Sequence, residues 1–411
     1  MRFRGWKAAL GFMSSATIAA QLVAFVAAIL IARQYSPSDI GVFSLVAAVA
    51  SVLAPISVAS IPSAIVPAQT EEDALGLVHA AVHWLVASTV VIVICTIIFV
   101  LVGSEEADAV GREAILVGPL VLLLGIFAVL QQVALRGQEY LIVARRTLFQ
   151  VLVTGVGQVG LGAVAPSAWS LLGGDLVGRA VGISGLFRSY RRLCKAAVGQ
   201  LPTRRSLWSR YGGVIRRYLP AILLDTLALQ SILVLVGYWF GADEAGFLGL
   251  AQRVVLMPIT VVGVTAGQII LSKSSAALRS GEGISRHDLR KTILGLSAVG
   301  LLVTVAVIFS APWFFPLVFG PEWAPAGTFA QLMAVQAGIG IVWTPISQLF
   351  LTYRAFGLFL WVSVIRASAV IVAGSLTYLI VGSVTWVVAL MSLATAAVQA
   401  IGVWLAQLLV R

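Results

Sequence analysis

The chain has 411 residues, 60% hydrophobic and only 10% charged, with a mean hydropathy of +1.02. A soluble domain carries about 25% charged residues to clothe its surface, so this composition excludes one and makes lipid the solvent for most of the molecule. The formal charge of +11 could suit nucleic acid, but basic cytoplasmic loops account for it completely, and no nucleic-acid partner is expected.

Apolar runs of about 20 residues, each long enough to cross a ~30 Å hydrocarbon core as a helix, recur along the whole chain. They lie at 10–32, 40–66, 80–102, 113–133, 147–164, 170–186, 213–240, 246–271, 292–311, 328–350, 358–381 and 384–409. An all-α polytopic membrane protein of about 12 transmembrane helices is therefore predicted. The first run follows Arg2, Arg4 and Lys7, as in a signal peptide. It is longer than a signal core and has no clear small-x-small cleavage site, so it reads as a retained helix.

Lys and Arg gather in alternate loops. One set holds Arg2, Arg4 and Lys7, then Arg136, Arg145 and Arg146, then the run from Arg188 to Arg217, then Lys273 to Lys291, and finally Arg354 and Arg411. The other set keeps Arg33 and Arg112 beside Asp39, Glu105, Glu106, Asp108, Asp243, Glu244 and Glu322. Cytoplasmic loops retain the basic residues, which puts both termini in the cytoplasm and the basic loops against anionic bilayer lipids. Cys95 falls in a span and Cys194 in a cytoplasmic loop, so no disulfide is expected.

The polar stretch 188–211 divides the chain into two sets of six spans. The expected organisation is an N-terminal lobe at 1–187, a basic cytoplasmic linker at 188–212 and a C-terminal lobe at 213–411. ILIARQYSPSDIGVFSLVAAVASVLAPISV, ending at Val58, and LVLVGYWFGADEAGFLGLAQRVVLMPITVV, ending at Val262, share a plan. Each has an acid-x-Gly turn, Asp39 with Gly41 and Glu244 with Gly246, and then a proline, Pro55 or Pro258. Two copies with an even number of spans share one orientation, which leaves a route between lobes for a substrate. Pro55, Pro62, Pro67 and Pro258 remove backbone donors inside or near spans and bend helices there, either for motion or as ordinary membrane prolines.

Charges inside spans are costly and face a partner or a cavity. Arg179 lies four residues after Asp175, on the same helix face, as a structural or a functional pair. Arg253, in AQRVVLMP, is either an anion-binding group, since its forked donors match phosphate oxygens, or a structural partner of Asp225. Arg366 is a further cation, about eight residues from the cytoplasmic edge and able to snorkel toward it. Asp225, in YLPAILLDTLALQ, either takes a proton or sodium ion or closes a salt bridge. Gln21, Gln131, Gln132, Gln230, Gln252 and Gln268 bond across helices or line a wet route. His79 and His83 are four apart but have no acid or cysteine at ligand spacing, so no metal is expected. There is no phosphate-cradling Gly-rich loop, no G-x-S-x-G and no zinc signature, so no cofactor is expected.

Three segments carry a family resemblance: AGFLGLAQRVVLMPITVVGVTAGQIILSKSSAALRSG (245–281), PLVFGPEWAPAGTFAQLM (316–333) and ILIARQYSPSDIGVFSL in the first half. They resemble the polysaccharide transporter family, the O-antigen and exopolysaccharide flippases of the multidrug/oligosaccharidyl-lipid/polysaccharide exporter superfamily. The resemblance implies two six-helix bundles enclosing a central cavity that alternates between inward-open and outward-open states. It further implies a flippase, not an enzyme, that moves an undecaprenyl-pyrophosphate-linked oligosaccharide across the bacterial inner membrane for surface polysaccharide. Arg253 falls where members of the family can present a cavity-facing cation. The expected substrate-binding residues are Arg253, Arg366 and Arg179, and the expected ion-coupling residues are Asp225 and Asp175. The expected partners are the lipid-linked saccharide, bilayer lipids, a proton or sodium ion and polysaccharide-assembly proteins. The alternatives are a proton- or sodium-coupled drug/cation antiporter of the same superfamily, against which the acid-free first span counts, and a glycan polymerase or ligase, against which the short outer loops count.

Overall fold

The computed structural model describes residues 3–102, 110–263, 266–267, 270, 285–353 and 355–409. The loop cations Arg2, Lys273, Arg279, Arg354 and Arg411, the outer acids Glu105, Glu106 and Asp108, Gln268 and part of the 245–281 segment lie outside these residues. The described residues are helical and separate into two compact units, Met1–Leu223 and Leu224–Arg411.

The first unit contains α1 (Phe3–Ala32), α2 (Pro37–Ser57), α3 (Glu71–Val102), α4 (Val117–Arg136), α5 (Tyr140–Val164), α6 (Ala168–Ser184) and α7 (Phe187–Ala196). The division between units falls inside α8 (Arg204–Phe240). The second unit continues with α9 (Ala242–Val255), a π-helical turn at Ile259–Gly263, α10 (Arg286–Phe319), α11 (Ala324–Ile346), α12 (Phe356–Val381) and α13 (Val384–Leu408). Nine helices among the described residues are long and apolar enough to cross a membrane. The three other predicted spans correspond to α1, α6 and α9, whose described apolar parts are shorter. The protein is thus an all-α membrane protein of about 12 spans, with Val91, Phe99, Leu302, Phe309 and Leu379 left exposed on surfaces that require lipid.

Close helix packing in each unit depends on glycine. In the second unit α10 meets α11 where a β carbon at Gly300 or Gly338 would overlap the other residue's backbone. The Thr304 hydroxyl, 3.1 Å from the Ala334 carbonyl, then bonds across the same contact, the small-residue packing that replaces hydrophobic force in lipid. The 316–333 segment becomes a buried corner. Gly320 takes φ +124, Trp323 is fully buried against Phe247 at 5.7 Å, and a β carbon at Gly327 would lie 2.7 Å from the Ala311 carbonyl.

The predicted span 40–66 is not one helix. α2 ends at Ser57 after Pro55; Ala59 and Ser60 take positive φ, and a short 3-10 turn at Ile61–Ala64 leads to α3, which begins at Glu71. Proline removes the donor that would continue the ladder, and residues Val58 to Ala68 remain largely buried. Irregular backbone at such depth needs partners supplied from within the protein. Arg136, at the end of α4, supplies them. Its Nη1 donates to the carbonyls of Ile65, Val66 and Ala68 at 3.1, 3.2 and 2.7 Å, and its Nη2 donates to that of Thr70 at 3.2 Å. The same guanidinium grips both oxygens of Glu71.

The 188–212 stretch is also largely helical. Leu193 of α7 is buried, Arg192 and Ser189 bond Glu139, and Arg210 pairs with buried Asp73 at 2.9 Å. The Tyr211 hydroxyl donates to Asp73 and accepts from the Gln69 N–H, and burial raises its pKa above the usual tyrosine value. Arg136→Ala is expected to lower the stability of the detergent-solubilised protein by about 3 kcal/mol, since it strands several carbonyls and a carboxylate together. Arg136→Lys should recover less than half of that loss, because an ammonium lacks the fork. Thermal melting of the two variants checks both values.

Candidate functional site

The deepest carboxylate of the second unit and its deepest guanidinium meet. Arg366, midway along α12 and 3% exposed, donates from Nη2 to Asp225 Oδ1 at 2.5 Å and to the Asp225 carbonyl at 2.8 Å. Its side chain therefore turns into the protein and does not snorkel toward the interface. Pairing offsets the cost of burying either charge alone, and the outcome is a neutral pair linking α8 to α12. The Arg366 Nε is buried without an acceptor among the described residues, so the guanidinium keeps donor capacity. Arg253 sits in the last turn of α9, partly buried and engaged with a neighbour. Just beyond it the helix changes at Pro258 to the π-helical turn, where the Thr260 hydroxyl bonds the Met257 carbonyl at 2.8 Å. The regular α-helical pattern thus changes at Pro258.

The first unit has a corresponding pair. Arg179 Nε lies 2.7 Å from Asp175 Oδ2 on α6, with the carboxylate buried and the guanidinium a quarter exposed. The i, i+4 spacing therefore does form the predicted ion pair. Asp175 and Arg179 lie between the glycines of a G-x-x-x-G-x-x-x-G run, Gly174, Gly178 and Gly182, and this run packs against α5.

The facing side of α5 carries Arg146, Gln150, Thr154 and Gln158, each four residues from the next. Gln158 is engaged twice: its side-chain amide donates to the Leu171 carbonyl at 2.9 Å, and its main-chain carbonyl accepts from the Tyr35 hydroxyl at 2.6 Å. Burial and the neighbouring Asp39 push that tyrosine's pKa up to about 12. Asp39 also closes the capping box of α2 with Ser36 and accepts from the Ala168 N–H at the start of α6. Glu244, its counterpart in the repeat, lies in the first turn of α9, which has no side-chain cap.

Arg146 differs from the sequence reading, which put it in a cytoplasmic loop. It is inside α5, 8% exposed, with its guanidinium 3.5 Å from the centre of the Phe127 ring. The signal that could have placed it is the four-residue spacing of polar side chains opposite a glycine run of the same period.

The other polar candidates are dispersed. Gln21, Gln131, Gln132, Gln230 and Gln252 are partly buried at separate points. His83 bonds the His79 carbonyl through Nδ1 at 2.7 Å, and His79 Nε2 lies 3.4 Å from the Tyr190 hydroxyl. No group of ligands that could hold a metal occurs among the described residues, and the free cysteines, Cys95 and Cys194, are both exposed.

Comparison with known proteins agrees with this architecture. The profile of the family described as "Polysaccharide biosynthesis protein" matches residues 16–328. The succinoglycan biosynthesis transport protein ExoT of Rhizobium meliloti (strain 1021) is 25% identical over 368 residues, covering 84% of this chain and 69% of that protein. Among solved structures, an inward-facing multidrug resistance MATE family transporter of the MOP superfamily superposes with a TM-score of 0.69 at 13% identity, covering 94% of each chain. The lipid II flippase MurJ in an inward closed conformation also gives 0.69, at 12% identity, covering 96% of this chain and 86% of that one. At these identities the structural matches speak for the fold. The family profile spans most of the sequence, and the chain belongs to the polysaccharide biosynthesis protein family, with a fold like that of the MATE and MurJ structures.

Proposed function

We propose that the protein is a flippase carrying an undecaprenyl-pyrophosphate-linked oligosaccharide from the cytoplasmic to the outer leaflet of the bacterial inner membrane by alternating access. Family membership and likeness to a succinoglycan transport protein support a saccharide cargo. The observation that carries the reading is the Arg366–Asp225 pair at 2.5 Å, because a guanidinium held inside a lipid-embedded helix bundle matches the fork of a phosphate. Its carboxylate is a counter-ion that a substrate can displace. When a proton or sodium ion takes Asp225, the Arg366 guanidinium is released to pyrophosphate oxygens, and substrate and ion become coupled through one competition. Asp175 and Arg179 repeat that logic in the first unit, and Arg253 is the third substrate-binding cation. Translocation makes and breaks no covalent bond, so no enzyme chemistry is assigned. Polysaccharide-assembly proteins are the natural partners at either leaflet.

In this reading residues 1–187 and 213–411 act as lobes with 188–212 as their cytoplasmic linker, and both termini face the cytoplasm. A proton- or sodium-coupled drug antiporter is the second reading, favoured by the fold shared with the MATE transporter and by the intramembrane acids Asp175 and Asp225.

In cells lacking the protein, lipid-linked saccharide is expected to accumulate in the cytoplasmic leaflet. The native chain should restore export, and Arg366→Ala or Arg253→Ala should reduce it about tenfold or more. Normal export without the protein, in cells with no related flippase, would replace the flippase with the antiporter. In proteoliposomes Asp225→Asn should bind lipid-linked pyrophosphate more tightly while transport loses its response to a proton or sodium gradient; a response that persists removes Asp225 from coupling. In a background with Cys95 and Cys194 replaced, Ser167→Cys should react with an impermeant maleimide in intact cells, and Ser206→Cys only after permeabilisation. The reverse pattern would invert the topology.

A further inference from the structure

The polar face of α5 holds a charge that the fold does not neutralise. Arg146 is 8% exposed, no carboxylate among the described residues bonds it, and its Nε is buried without an acceptor. The charged group near enough to act on it is another cation, Arg179, which already shares Asp175. Two guanidinium groups against one carboxylate leave the cluster at net +1. Proteins rarely bury an unpaired cation, and an unpaired charge inside a membrane domain points to a missing counter-ion. Phe127 stacks on one face of the guanidinium at 3.5 Å, which orients the fork but supplies no negative charge.

The next rungs add donors. Gln150 Oε1 and Thr154 Oγ1, one and two turns further along α5, are also buried without partners. A half-turn of the amide presents its N–H group in place of the oxygen, and the threonine hydroxyl can donate. Thus the guanidinium, an amide and a hydroxyl stand one turn apart on one helix face. On the facing helix, a β carbon at Gly182 would lie 3.2 Å from Arg146 Nε and 3.3 Å from Gln150 Oε1, so glycine there keeps α6 from crowding those groups.

We propose that Arg146, with Gln150 one turn along α5, forms a site for a phosphate-class anion inside the N-terminal unit. The proposal rests on the flippase reading for its physiological ligand, the pyrophosphate of the lipid-linked substrate. Arg146 lies about 9 Å along α5 from the helix's first residue, at the end assigned to the cytoplasm, where a headgroup in the inner leaflet arrives. Unlike Arg366 and Arg179, it has no carboxylate to give up first. It is therefore a receiving site, filled before the ion-dependent pairs exchange partners.

The test uses the full chain in phosphatidylcholine nanodiscs, with undecaprenyl pyrophosphate and inorganic pyrophosphate as separate probes. Dissociation constants and melting temperatures are read for the native chain, Arg146→Gln and Arg146→Lys. The native chain should bind the lipid, Arg146→Gln should weaken binding about tenfold or more, and Arg146→Lys by less, since it keeps the charge without the fork. Without anion, Arg146→Gln should melt no lower than the native chain, because it removes a repulsion. A glutamine variant that melts lower or does not fold overturns the site, since the guanidinium would then be structural. If the lipid binds native and Arg146→Gln chains equally, the site is overturned while the flippase reading stands. If inorganic pyrophosphate alone binds, and does so through Arg146, the site stands for free phosphate and the flippase reading fails. Binding of neither probe by the native chain overturns the site.

Discussion

The first unit depends on one side chain gathering the backbone of a broken helix. Where α2 stops after Pro55, the chain runs through buried non-helical residues before α3 begins at Glu71. Carbonyls released by that break need partners, and a buried one left alone costs as much as a lost hydrogen bond. Arg136 collects four of them and fastens Glu71 with the same guanidinium. Because Arg136 closes α4, the broken segment, α3 and α4 are held in one register. Asp73, two residues beyond Glu71, then receives Arg210 and Tyr211, which ties the start of α8 to the same corner.

The intramembrane charges obey a related constraint: each is placed where something can answer it. Arg366 has Asp225 and Arg179 has Asp175. These pairs are neutral and therefore compatible with lipid. Arg146 is the exception among the described residues, and its polar ladder along the glycine face of α6 makes that exception a property of the packing. Glycine at 174, 178 and 182 brings the backbones close enough for α5's polar side chains to be buried at all.

Much of the fold was legible because hydropathy acts one segment at a time. Runs of about 20 apolar residues marked the spans, and the Asp175–Arg179 pair followed from helical spacing alone. The FG-x-x-W-x-x-AG corner could be recognised, although only the structure assigns its parts: positive φ at Gly320, a buried plug at Trp323, close packing at Gly327. The span 40–66 reads as continuous in sequence, since a window of hydropathy does not register that Val58 to Ala68 is buried by neighbouring helices and not by lipid. Arg146 reads as a loop residue because it follows Arg145 in the basic set that starts at Arg136; the rule that basic residues mark cytoplasmic ends locates an edge only to within a turn or two.

By itself, the sequence determined that this is an all-α membrane protein, which segments meet lipid, and which loops carry the positive charge. Those properties come from the transfer energies of individual residues and need no knowledge of neighbours. Only the tertiary structure decided that Arg366 answers Asp225 across 141 positions, that Arg136 serves the 65–71 segment, and that Arg146 stands opposite a glycine face with no carboxylate bonded to it among the described residues. Charge pairing falls steeply with distance in a low-dielectric interior, and that distance is set by which helix faces pack together, a relation that spacing along one chain does not contain.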